Sequence, residues 1–272
     1  MTDPSQTGPL TRPGDALGLP KLVLRYPTDP ESIAALLPPG LDPTDDANVQ
    51  INVYCAPVHG EPEYGISTKV PASYGGAEGA YSLGIGIDQE SAIFVSRETN
   101  GQPKFPCEVR YHRMGDAVHA SATHRGTTFL SFDGRPAGFG EVDGEERTDD
   151  EWWIKCSRAV GGGDGYDFAP HVVRVRTSGV RTHVERLEGD LVLRDSDWDP
   201  YTTLLPMRGP AVAELWHTRH TGRSIERMGP LDGTAFLPFS DTIGGSRWPG
   251  DRGAPRRPPA PFTRTAPPGG GR

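Results

Sequence analysis

The chain carries 24 arginines but only four lysines, Lys21, Lys69, Lys104 and Lys155. Arginine serves wherever only positive charge is needed. Lysine alone can lose its proton and become a nucleophile, because a guanidinium stays charged. The four lysines are therefore the first places to look for amine chemistry. Lys104 has the most pointed surroundings, since Pro103, Phe105 and Pro106 flank it. An amine with poor access to water is disfavoured as ammonium, which supplies neutral amine near neutral pH. Neutral amine is the species that adds to a carbonyl and forms a Schiff base. The same residues also fit a surface lysine that buries its stem and keeps its head in water. Local chemistry leaves both readings open.

Other constellations carry less. Gly161-Gly-Gly-Asp-Gly165 lacks the Gly-Lys-Ser/Thr ending of a phosphate loop and reads as a surface loop. His217 and His220 stand three apart, but no His-Glu-x-x-His pattern or matching carboxylate accompanies them, so no metal is expected. His119 and His124, five apart in a predicted strand, point to opposite faces. Trp152 and Trp153 cannot share one face of a strand, so one belongs to the core and the other to a cavity or interface. There is no Gly-x-Ser-x-Gly elbow. No motif for a cofactor is present, and none is expected.

The elements that must position such a lysine are mostly strands. Leu22–Tyr26 reads as a strand. A helix follows, with capping-box spacing at Thr28 and Glu31 and with Ile33, Leu36 and Leu37 on one face. Pro38-Pro39-Gly40 ends it. Val49, Ile51, Val53 and Cys55 alternate with Gln50, Asn52 and Tyr54, the period of a half-buried strand. Further strands are predicted over 81–87, 92–97, 107–112, 117–124, 171–176 and 180–193, with turns at Asp133-Gly134 and Asp143-Gly144. Strands outnumber helices and there is no regular βαβ alternation. The expected fold is α+β, mainly antiparallel sheet curled into a barrel-like body.

Composition bounds the rest. The 35% hydrophobic fraction is low until the 35 glycines are counted with it, which brings the chain to an ordinary globular range. No run approaches the length of a membrane span, and residues 1–18 lack the basic and apolar regions of a signal peptide. Three cysteines without a C-x-x-C spacing fit a reducing compartment, so a cytoplasmic location is expected. The net charge is −8; residues 247–272 hold six Arg against one Asp, which leaves the remainder near −13. An acidic body argues against nucleic acid as a partner, and no membrane partner is expected either. The predicted organisation is a flexible arm at 1–18, one domain over 19–246, and a disordered Pro/Gly/Arg tail at 247–272.

Several motifs together resemble those of the acetoacetate decarboxylase superfamily. Ala92-Ile93, Arg97-Glu98 and Pro103-Lys104 are similar to its "A-I … G-R-E … P-K-K" signature, with Ser96 in place of the glycine. Val70-Pro71, Tyr74-Gly75-Gly76 and Gly79-Ala80-Tyr81 resemble its "V-P-V-x-Y-G-G … G-D-Y". Tyr26, Thr28-Asp29, Leu37-Pro38 and Gly40-Leu41 match its N-terminal "Y-R-T-D … L-P-x-G-L", and weaker likeness runs through Trp152-Trp153-Ile154-Lys155 and Asp199-Pro200. The resemblance implies an acetoacetate decarboxylase-like fold, a homo-oligomer, and Lys104 as a Schiff-base lysine. Acetoacetate decarboxylase is itself a standard example of an activated lysine, so this mechanism is carried by the resemblance.

The departures bear on the reaction. Phe105 stands where the family has a second lysine, the pocket glutamate would fall at Gly65, and a second glutamate falls near Gln50. Glu63, two residues from Gly65, is the nearby carboxylate on the same strand face. The arginine expected near residues 19–21 is missing, with Lys21 the nearest cation. The resulting expectation is a Schiff-base lyase acting on a small keto acid, of aldolase-dehydratase or decarboxylase type. Lys104 and Glu63 would be its catalytic residues, and Gln50, Asn100 and Gln102 would bind substrate oxygens. The alternative is a non-catalytic barrel that binds a small carboxylate or hydrophobic ligand.

Overall fold

Alternation along the strands sorts side chains into two different interiors. The computed structural model describes residues 20–58, 61–161, 165–240 and Trp248. The chain runs through β1 (Lys21–Pro27), α1 (Pro30–Ala34), β2 (Asn48–Val58), β3 (Glu61–Tyr74), β4 (Ala77–Ile87), α2 (Glu90–Asn100) and β5 (Lys104–Pro106). It continues with β6 (Glu108–Met114), β7 (Ala117–His124), β8 (Thr127–Phe139), β9 (Glu146–Arg158), β10 (Tyr166–Leu193), α3 (Tyr201–Leu204), β11 (Val212–Pro230) and α4 (Gly233–Phe236). The expected α+β, mainly antiparallel architecture is what forms.

The strands pair in the order β11-β1-β2-β3-β4-β9-β10, and β10 also pairs with β11, so seven strands make a closed cycle of pairings. The cycle contains one parallel junction, Ala80 and Tyr81 of β4 against Glu151 and Trp152 of β9. The 28-residue β10 serves two roles. Its first part pairs with β9, and its last residues pair with β8, which continues into β7 and β6. The hydrophobic core lies on one side of the cycle, where Leu22, Leu24, Ile51, Val53, Val70, Leu83 and Trp152 meet Val118, Ala120, Phe129 and Phe132 of β7 and β8. The other side is polar and largely closed to water. Asn52, Glu63, Ser67, Ser82 and Lys104 are all buried there. Strand β2 is therefore covered on both faces, rather than on one face as its alternation suggests.

Several predicted elements differ from the structure for identifiable reasons. Residues 92–97 form part of helix α2, because the apolar run Ala92–Val95 imitates a strand while Glu90, Arg97 and Gly101 supply helix ends. Of that run only Ile93 is buried, while Phe94 and Val95 are exposed. Gly101 closes the helix at φ 68°, its N–H bonded to the Arg97 carbonyl and that of Gln102 to Ser96. Helix α1 is five residues long and its N-cap is Asp29, not Thr28, without a side-chain cap bond. Ile33, Leu36 and Leu37 are nevertheless all in the core. Asp133-Gly134 lies inside β8 because Gly134 leaves room for the Phe132 ring, and residues 171–193 are one strand, not two.

The predicted arm at 1–18 and the tail at 247–272, Trp248 apart, lie outside the described residues. Trp248 itself is buried, edge-on to Tyr201 at 4.9 Å. Among the described residues no helix is long and apolar enough to cross a membrane.

Gly101 couples α2 to β9. A Cβ there would lie 2.4 Å from the Lys155 Cα, on a backbone conformation that L-residues already disfavour. Gly101→Ala should cost at least about 2 kcal/mol. Urea unfolding measures this, and an unchanged midpoint would show that α2 is free to shift away from β9.

Candidate active site

Strand β5 is three residues long, and its pairing decides where Lys104 points. Lys104 lies opposite Ile85 in the parallel ladder with β4 and so shares its face, while Phe105, opposite Gly86, takes the other. The Lys104 carbonyl accepts a hydrogen bond from Arg97 Nη1 at 3.0 Å, which ties β5 to helix α2. Ile93 of that helix packs on Ile85 and Ile87, next to the lysine. Lys104 is 6% exposed.

Phe105 faces the hydrophobic core, its ring edge against His124 at 5.0 Å. The dryness of the amine therefore comes from β4 and α2, not from the neighbouring ring. A lysine at position 105 would likewise have pointed away from the Lys104 amine. Its replacement by Phe105 leaves the amine's own surroundings intact.

The partner of Lys104 is Glu63. Lys104 Nζ donates to Glu63 Oε2 at 3.0 Å, and Glu63 is 3% exposed. Buried charges cost several kcal/mol each unless they are paired and hydrogen-bonded. Glu63 meets both conditions, because Tyr54 donates its phenol to the second oxygen, Oε1, at 3.2 Å. Tyr54 lies opposite Gly65 in the β2–β3 ladder, and its ring lies across that glycine. Burial foremost, then the charge of Glu63 and the hydrogen bond to it, pushes the Tyr54 phenol well above its usual range. It remains a donor at neutral pH.

Further along the same faces lies a second polar cluster. Lys69 pairs with Glu151, which also accepts from Ser82 and from Trp153 Nε1, the latter at 2.6 Å. Burial would raise the Glu151 carboxyl, but the charge of Lys69 and the three hydrogen bonds outweigh it and leave it below the usual value. Trp152 is in the core and Trp153 faces this cluster, as their adjacency requires. Lys21 sits 5.1 Å from the Trp216 ring centre, and burial first, then Lys69, lowers it to about 8.

The structure brings Lys104 and Glu63 together and spreads the other expected site residues. Gln50 donates to Asn52 at 3.0 Å, and Asn52 to Ser67 at 3.1 Å. It shares the face of Tyr54 but stands four residues up the strand, roughly 13 Å away. Asn100 ends α2 and lines a cavity of about 430 Å³ with Lys155, Phe168 and His171. Gln102 lines another, of about 440 Å³, with Arg97, Phe105, Arg158 and Phe236. Neither cavity is lined by Lys104 or Glu63.

Two residues at the lysine escaped the sequence reading. Arg97 was seen as part of a motif but not as the group that holds the Lys104 backbone. Tyr54 was taken only as the polar half of an alternating strand. Its signal was the glycine opposite it, and that pairing exists only once the β2–β3 register is known.

The lowered Glu151 carboxyl makes stability depend on acid. Its contribution is complete above the ordinary glutamate range near 4.5 and is lost as pH falls through the lower folded value. Urea midpoints should therefore drop below about pH 4.5, and Glu151→Gln should flatten that drop. An equally steep acid limb in the variant would place the acid sensitivity elsewhere.

Comparison with known proteins identifies the family. The model of the family described as acetoacetate decarboxylase matches residues 2–228. No curated sequence matches the chain. Among solved structures, an acetoacetate decarboxylase superposes with a TM-score of 0.67 at 14% identity, over 78% of this chain and 88% of that one. An acetoacetate decarboxylase-like enzyme from Sphingomonas wittichii RW1 gives 0.62 at 15% identity, over 78% and 91%. The enduracididine biosynthesis enzyme MppR, complexed with the condensation product of pyruvate and imidazole 4-carboxaldehyde, gives 0.56 at 14%, over 82% and 98%. With the family model spanning most of its length and the same fold in each of these structures, the chain belongs to the acetoacetate decarboxylase family.

Proposed function

We propose that this protein is a carbon–carbon lyase that binds a small keto acid as a Schiff base on Lys104, with Glu63 moving protons. The observation that carries the reading is the buried contact of 3.0 Å between Lys104 Nζ and Glu63 Oε2. An ammonium cannot attack a carbonyl. A carboxylate in direct hydrogen bond with it can take its proton and release the neutral amine. The amine adds to the keto carbon, and the carbinolamine loses water to give an iminium. That iminium draws electrons from the adjacent carbon. Glu63 then removes a proton there to give an enamine, whose carbon can add to an aldehyde. Loss of the resulting hydroxyl as water and hydrolysis of the imine release a conjugated keto acid and restore Lys104.

Repeated proton transfer is what Glu63, backed by Tyr54, is placed to perform, which favours the aldolase-dehydratase form. MppR, with its bound condensation product, has the same fold. Decarboxylation is the second reading, favoured by Ile85, Ile87 and Ile93 beside the amine and by the negative charge of Glu63. A substrate carboxylate held there loses charge favourably as CO2 departs. Its bonding electrons enter the iminium, and the enamine is then protonated. A keto acid as partner and a homo-oligomeric assembly complete the proposal.

Borohydride reduction with pyruvate or acetoacetate should leave an adduct on Lys104 alone among the four lysines, Lys21 included despite its lowered value. Lys104→Arg should abolish trapping, because arginine does not form the imine. Glu63→Gln should slow turnover by about 10²–10⁴-fold while leaving Lys104 in place. Label on Lys21, Lys69 or Lys155 instead would sink the assignment. Absorbance of conjugated products from pyruvate plus an aldehyde, set against CO2 release from acetoacetate, separates the two forms.

A further inference from the structure

We infer that Tyr54 is a positioning residue for the reaction at Lys104, holding the Glu63 carboxylate by its phenol, and that Gly65 is the residue that makes this possible. The inference rests on the Schiff-base reading above and adds to it the group that orients the proton carrier. Glu63 uses one oxygen for Lys104 at 3.0 Å and the other for Tyr54 at 3.2 Å. These contacts bracket the carboxylate from two strands. Lys104 reaches it from β5 and Tyr54 from β2, while Glu63 itself stands on β3. When Glu63 takes the proton of Lys104 the contact with β5 weakens, because an ion pair becomes a contact between neutral groups. The phenol of Tyr54 then keeps the carboxyl from rotating away while the amine reacts.

The phenol can stand there only because residue 65 has no side chain. A Cβ on Gly65 would lie 2.3 Å from Cζ and 2.4 Å from the hydroxyl oxygen of Tyr54. Both distances are far inside van der Waals contact, and they fall on a rigid aromatic ring. Gly65 has no left-handed backbone to explain it, as the chain's positive-φ glycines do. What it accommodates is the ring. Tyr54 and Gly65, directly opposite each other across β2 and β3, thus act as one unit.

Tyr54→Phe keeps the ring over Gly65 and removes only the hydroxyl, so the Glu63 carboxylate loses the contact that orients it while the strand pairing stays. The rate of borohydride trapping of pyruvate on Lys104 should fall about 10-fold. Turnover at neutral pH should fall about 10- to 100-fold, mostly in kcat, because substrate binding does not use the phenol. Gly65→Ala, which displaces the ring, should slow trapping to the same extent. In a Tyr54→Ala background, where no ring is present, it should add little.

The outcomes are separable. A Lys104 adduct in the wild type, with trapping rate and kcat unchanged in Tyr54→Phe, overturns the role of Tyr54 and leaves the Schiff-base reading standing. No adduct on Lys104 in the wild type brings down both. Additive effects of Gly65→Ala and Tyr54→Ala overturn the pairing of the two residues.

Discussion

A lysine and a glutamate meet at 3.0 Å in a space closed to water, and the surrounding architecture exists on terms set by that contact. Either charge alone would be costly to bury, by several kcal/mol even after relaxation. Together they are tolerable only if the remaining hydrogen-bonding capacity is filled. Tyr54 fills it on the side of Glu63. Arg97 fixes the backbone that carries Lys104. Removing one member leaves an uncompensated charge in a dry place, so the geometry is held by mutual need.

The same logic extends through the polar side of the strand cycle. Lys69 and Glu151 repeat the arrangement with Ser82 and Trp153 as additional donors, and Gln50, Asn52 and Ser67 hydrogen-bond in series between the two pairs. An interior built this way is stable but unforgiving, because each group depends on the next. It is also a place where charge and proton position can be controlled, which an apolar core cannot offer. The hydrophobic core is kept apart on the opposite faces of the same strands. Strand alternation makes that separation automatic, and Trp152 in the core beside Trp153 against Glu151 is its simplest instance.

Alternation also resolves what the missing second lysine means. Residues 104 and 105 are adjacent in sequence but lie on opposite sides of β5, so the amine and the Phe105 ring belong to different interiors. Chain neighbours of a reactive group are poor guides to its electrostatics in a strand. Neighbours on other strands are the better guide: Ile85 by pairing, Glu63 by hydrogen bond and, through Glu63, Tyr54.

Much of this was legible in the residues themselves. Alternation located β2, strand-forming runs marked β1 and β7, the scarcity of lysine drew attention to Lys104, and the family resemblance with face parity picked out Glu63. These signals come from composition, local pattern and motif, none of which needs the fold. Other readings failed where two local signals competed. The apolar run Ala92–Val95 fits a strand by composition, and only its packing through Ile93, with Gly101 as the stop, makes it helix. Where Gln50, Asn100 and Gln102 stand could not be read from the chain: Gln50 bonds Asn52, and Asn100 and Gln102 line two separate cavities. Tyr54 was invisible as a site residue because its partner is a glycine on another strand. By itself the sequence determined the alternation of faces, the family signature and the amine with its carboxylate. Only the tertiary structure decided which strands lie side by side, because register is a long-range choice made by packing, and register is what brings Tyr54 to Glu63 and Glu63 to Lys104.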